Sequence, residues 1–106
     1  MKLTKFKLVT VIADRRLKSK LIRFFTEAGI TGYTFYPAYG KGASLFGDET
    51  AEESEKIQFK ILVSPIVAPS LMKVIHEDEF SGGGVIVFEQ DVAVVRPEKF
   101  GGSRSG

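Results

Sequence analysis

The stretch that decides the fold is FKLVTVIADRRLKSKLIRFFTEAGITGYTFY, residues 6–36. Phe6 to Ala13 is rich in branched and aromatic residues and reads as a strand. Phe6, Leu8 and Ile12 share one face, while Val9 and Val11 lie on the other with Lys5 and Lys7. Asp14 can accept from the free N–H groups of a helix start. Leu17, Leu21, Phe24, Phe25 and Ala28 then recur at steps of three and four, the spacing of one buried helical face. Gly29 can take the left-handed conformation that closes the helix. Ile30 to Tyr36 reads as a second strand, ended by Pro37, which has no N–H for a ladder. The unit is strand–helix–strand.

It occurs twice. Lys56 to Val63 alternates Ile57, Phe59, Ile61 and Val63 against Lys56, Gln58 and Lys60. A helix follows, expected to begin near Pro69, with Leu71, Met72, Val74 and Ile75 as its buried side. Ser81 to Gly84 is a turn with unusual backbone freedom. Val85 to Val95 is a last strand, apolar on both faces, with a bulge expected near Gln90. The order βαββαβ implies an α+β, ferredoxin-like sandwich: a four-stranded antiparallel sheet with both helices on one face. The expected organisation is one domain over residues 1–98 and a flexible tail over 99–106. The other sheet face would carry Val9, Val11, Tyr33, Phe35, Leu62 and half of the last strand. A monomer seldom exposes so apolar a surface, so self-association is expected.

A long connection, residues 39–55, separates the two units, and loops of that length usually serve a function. Its base holds Gly40, Lys41 and Gly42. This is a flexible hinge or an anion cradle, since glycines let successive N–H groups converge on one ligand. Gly82, Gly83 and Gly84 form a second permissive turn, and Arg96 follows the last strand. In a trimer, the loop base of one copy and this turn of the next would form a phosphate-sized cleft.

Composition narrows the rest. The chain has 106 residues, no cysteine, and a net charge of +2. Disulfides and thiolate metal sites are excluded, which fits a reducing cytoplasm. No run approaches the length of a membrane span. Eight Lys/Arg stand against one acid through Arg23, and five acids stand without a base from Asp48 to Glu55. An RNA-recognition module shares the element order and would use the basic third, with Phe6 and Phe59 as stacking platforms. A CutA-like metal-binding trimer would use His76 beside Glu77, Asp78 and Glu79. An acylphosphatase-like enzyme would need an arginine with an amide side chain such as asparagine, and the chain has no asparagine. No catalytic residue is assigned, and the chain reads as a non-enzyme without a metal or cofactor.

GITGYTFYPAYGKGAS, residues 29–44, resembles the helix-to-second-strand segment of the PII signal-transduction proteins. GGGVIVFEQDVAVVR, residues 82–96, resembles their B-loop and final strand. The pairing of GYT with GKG is most similar to the PII-like proteins of inorganic-carbon uptake, of the SbtB and carboxysome-associated types. The resemblance implies a cytoplasmic homotrimer with adenine nucleotide in inter-subunit clefts and a T-loop, residues 39–55, that touches a partner. It implies nucleotide contacts from Thr34, Gly40, Lys41, Gly42, Ala43 and Ser44, with Leu62 against the base. Gly82, Gly83 and Gly84 would cradle phosphate, with Arg96 as cation. Bicarbonate would bind the backbone of Gly40, Lys41, Gly42 and Ala43. The partner would be a bicarbonate transporter or a carboxysome-associated protein, and no nucleic acid is implied. Gly83 and Val85 stand where the family has Asp and Lys; Ala43 and Ser44 stand where it has Arg and Gln. Fewer cations favour AMP or ADP over ATP.

Overall fold

The computed structural model describes residues 1–40, 54–77 and 84–95. Four strands, β1 (Thr4–Asp14), β2 (Thr34–Gly40), β3 (Ser54–Val63) and β4 (Val85–Val94), alternate with two helices, α1 (Lys18–Glu27) and α2 (Val67–Glu77). The sheet order is β2-β3-β1-β4. Every neighbouring pair is antiparallel. This is the ferredoxin-like α+β sandwich that the order of elements implied.

Local chemistry sets the boundaries. Asp14 Oδ1 accepts from Arg16 N at 2.9 Å, capping a single 3-10 turn, Arg15–Leu17, that leads into α1. Its carboxyl is held below the ordinary 3.8 by the Arg16 backbone N–H, then by the Arg16 side chain. The depressed value means that Asp14 stabilises the fold above pH 3.8, and that this contribution is lost as pH falls through the folded value. Asp14→Ala is expected to cost about 1 kcal/mol at neutral pH. Urea denaturation at falling pH should show the difference from the parent chain vanish in strong acid.

At its other end α1 closes with a paired set of bonds. Ile30 N donates to Phe25 O at 2.9 Å and Gly29 N to Thr26 O at 3.1 Å, with Gly29 at φ 80°. This terminator uses Ile30 as its buried apolar contact. For that reason β2 begins at Thr34 rather than at Ile30, and it runs through Pro37 to Gly40 instead of stopping at the proline. Pro37 pairs with Ile57 because β2 is an edge strand, where a missing donor can point outward. Ala28, expected inside, is exposed.

The start of α2 lies two residues earlier than expected. Ser64 receives the Val67 N–H on both its Oγ (3.3 Å) and its carbonyl (3.1 Å). Pro69 falls in the first turn, where its nitrogen has no bond to make. Ala68, Leu71 and Ile75 are buried. Val74, about 100° round the helix from Ile75, is exposed, contrary to the expectation.

The register is unbroken in all three pairs, from Thr4↔Val94 to Ala13↔Val85 in β1–β4, so β4 has no bulge at Gln90. Unbroken register also divides the sheet by parity. Odd-numbered residues face the helices: Val9, Val11, Ala13, Ile57, Phe59, Ile61 and Val63 form the core with Leu21, Phe25, Ile30, Leu71 and Ile75. Even-numbered residues face away. The face turned away from the helices therefore carries Phe6, Leu8, Ile12, Tyr36, Leu62, Ile86, Phe88 and Val92, of which Phe6 is itself buried. Val9 and Val11, expected there, are fully buried, and Tyr33 and Phe35 pack their rings on Phe59 at 5.9 and 5.6 Å from the helix side. Leu62 alone of the five named residues is where expected. Apolar residues on both faces of β1 hid which set the helices would choose.

Candidate functional site

The ends of the strands group the glycines. Gly40 closes β2 opposite Ser54, Asp14 closes β1 opposite Lys56, and Val85 opens β4 opposite Ala13. Gly84, at φ 85°, immediately precedes β4. Gly40 and Gly84 thus lie at one end of the sheet but on opposite edges. Three strand spacings separate those edges, about 14 Å.

Thr34 and Leu62 lie elsewhere. Thr34 pairs with Lys60, and Leu62 is the next residue of β3 on the same uncovered face. Six residues along β2 place Thr34 about 20 Å from Gly40, and Leu62 lies two residues further on. Val95 follows the far end of β4, where Val94 pairs with Thr4, so the chain approaches Arg96 from the end opposite Gly84. Lys41, Gly42, Ala43, Ser44, Gly82, Gly83 and Arg96 lie outside the described residues, as does most of the 39–55 connection; Tyr39, Gly40, Ser54 and Glu55 are ladder residues. The tail, 99–106, lies outside them too. A single chain does not bring Thr34, Gly40 and Gly84 together.

The glycine end is lined with cations from the β1–α1 turn. Arg15 Nη1 is 3.3 Å from Glu55 Oε2. Arg16 Nε is 3.0 Å from Asp14 Oδ1, and Lys56 lies close enough to Asp14 to lower its pKa further. Lys18 Nζ sits 4.6 Å above the Phe35 ring. At the opposite end Lys7 bridges Glu89 (3.3 Å) and Asp91 on β4. The hydrogen bonds to both carboxylates, Asp91 foremost, raise the Lys7 ammonium above 10.5, and Lys7 lowers Asp91. Arg15 was legible only as one of many basic residues. Its partner on β3 could not be read without the register that sets Glu55 beside the β1–α1 turn.

The rival constellations are placed as well. Phe59 is fully buried and Phe6 nearly so, which leaves no pair of exposed rings on the central strands for bases to stack on. His76 is exposed near the end of α2, and Asp78 and Glu79 lie outside the described residues. Among the described residues no three His, Asp or Glu side chains cluster as metal ligands. Among them, too, no helix is long and apolar enough to cross a membrane.

Residues 6–99 match the family described as Nitrogen regulatory protein P-II. Among solved structures, a putative PII-like signaling protein from Thermus thermophilus is 33% identical, with TM-score 0.75 over 94% of this chain and 99% of that one. CPII from Thiomonas intermedia, bound to ADP, AMP and acetate, is 26% identical, with TM-score 0.77 over 94% and 98%. The same protein bound to ADP and bicarbonate gives 25% identity and TM-score 0.75 over 93% and 97%. No curated protein matches the chain in a sequence comparison. The chain belongs to the P-II family of nitrogen regulatory proteins, and is a PII-like regulatory protein.

Proposed function

We propose that this chain is a non-enzymatic sensor that assembles as a trimer and binds an adenine nucleotide, AMP or ADP ahead of ATP, in the clefts between copies. The observation that carries this reading is the split site: Gly40 and Gly84 share one end of the sheet but sit on opposite edges. Among the described residues the two glycine-bearing ends stay on opposite edges, and a neighbouring copy would bring them to one phosphate. The uncovered face supports the assembly. It is apolar along β1 and β4, with Phe6, Leu8, Ile12, Ile86, Phe88 and Val92, while β3 sets Lys56, Gln58 and Lys60 beside Leu62.

In this reading Thr34 and Leu62 hold the base. The 40–44 segment takes the phosphate side, with Gly82, Gly83 and Gly84 of the adjacent copy and Arg96. Bicarbonate binds the backbone from Gly40 to Ala43. That CPII carries ADP with bicarbonate, and ADP and AMP with acetate, supports both ligand classes. The connection between β2 and β3 transmits the bound state to a bicarbonate transporter or a carboxysome-associated protein, the role of the SbtB and carboxysome branches. Such transmission requires the ligand to bind one loop state better than another, because equal affinity shifts nothing.

Calorimetry with AMP, ADP and ATP, each with and without bicarbonate, tests this. ADP or AMP is expected to bind more tightly than ATP, with one site per chain, and bicarbonate to tighten the binding by about 5- to 150-fold, the usual range of coupling. A monomer indifferent to every adenylate would refute the proposal.

A further inference from the structure

Resting on the proposal that a small anion binds at the base of the β2–β3 connection, we propose that Arg15 is the residue that reads this anion. Glu55 is then its internal competitor. The ligand class is a planar monoanion with two oxygens to offer, such as bicarbonate or a short carboxylate.

Arg15 projects from the turn after β1 to Glu55 on β3, and Glu55 pairs directly with Tyr39, one residue before Gly40. The contact places a guanidinium on a carboxylate at the corner where the anion is expected. It is a loose contact. One guanidinium nitrogen meets one oxygen at 3.3 Å, against about 2.7–2.9 Å for a well-formed charged hydrogen bond and two parallel bonds for a full Arg–carboxylate fork. Glu55 is tethered to a strand and approaches the fork through Oε2 at 3.3 Å. A free anion has no tether and can meet both arms.

The exposure of the pair agrees with exchange. The Arg15 side chain is 64% exposed and that of Glu55 36%, so a solute can reach them and either group can return to water. Pairs this exposed are held weakly. The neighbouring cations differ: Arg16 is paired with Asp14, Lys56 lies near enough to Asp14 to lower its pKa, and Lys18 lies over Phe35. Arg15 is therefore the cation at this corner whose partner an anion of the same shape can replace.

The test is calorimetric titration of sodium bicarbonate, and separately sodium acetate, into the ADP-loaded full chain, with sodium chloride at equal ionic strength as control. Glu55→Gln removes the competing charge and is expected to tighten bicarbonate by about three- to tenfold, while Arg15→Ala weakens it by about tenfold or more. Arg15→Lys, which keeps charge but not the fork, should fall between Arg15→Ala and the parent chain. Both Glu55→Gln and Arg15→Ala break the same ion pair, so a merely structural pair would move both in one direction. Opposite signs support the proposal. Shifts in the same direction, or affinities within twofold of the parent, overturn it while leaving the anion site standing. A parent chain that binds no bicarbonate overturns this inference and the anion reading together.

Discussion

Phe88→Asp is expected to convert the assembled protein into single chains and to abolish adenylate binding. Phe88 and Ile86 are 40% and 57% exposed in the isolated chain, on the even-numbered face that the helices leave bare. Phe88 lies opposite Thr10, at the middle of that face, so any partner copy that covers the face covers it. In the proposed trimer an aspartate there would be desolvated at the interface, and the cation of the same row, Lys60, lies two strands away. Desolvating an unpaired carboxylate costs several kcal/mol even after local relaxation. The substitution does not touch the helix-facing core, so circular dichroism should remain that of the parent. Sedimentation velocity should report the 11.7 kDa single chain, and calorimetry with ADP should give no heat of binding. A variant that remains trimeric would show that this face is not the interface. One that is monomeric yet binds ADP would show that the site lies within one chain.

The second large effect concerns stability. Phe59→Ala is expected to destabilise the fold by about 3–5 kcal/mol, a major part of the roughly 5–15 kcal/mol that holds a domain of this kind together. Phe59 is fully buried at the centre of an aromatic group, with ring centroids 5.1 Å from Phe25, 5.6 Å from Phe35 and 5.9 Å from Tyr33. Truncation removes apolar burial from three neighbours on different elements, and a void among rigid rings closes poorly. Phe35→Ala removes a partly exposed ring from the same group, and about 1 kcal/mol is expected there. Urea denaturation at fixed protein concentration checks both, since assembly makes apparent stability depend on concentration. Equal losses for Phe59→Ala and Phe35→Ala would contradict the packing described.

The sequence carried the order of elements clearly because each strand–helix–strand unit has its own punctuation. Asp14 and Gly29 bracket the first helical segment, and Pro69 marks the start of the second to within two residues. Two features misled. Apolar residues occur at both parities in β1, so alternation could not say whether Val9 or Leu8 meets the helices; only the partners across the sheet decide. Ile30 looks like the first residue of a strand, yet the helix terminator claims it. The glycines at both loop bases were legible as permissive backbone. That Gly40 and Gly84 share one end of the sheet follows from strand order, which is a tertiary fact. The same holds for Arg15 and Glu55, forty residues apart in sequence and joined by the β1–β3 register.

Pro37 has a consequence for how the chain can multiply. A copy whose two outer strands were both free of obstacles could add neighbours indefinitely and grow into a fibre. β4 offers ten residues without a proline, but β2 offers seven with a proline at its centre. The missing amide interrupts any ladder that a further strand tries to lay along that side. Growth by edge addition is therefore blocked on one flank, which guards against open-ended polymers built strand upon strand.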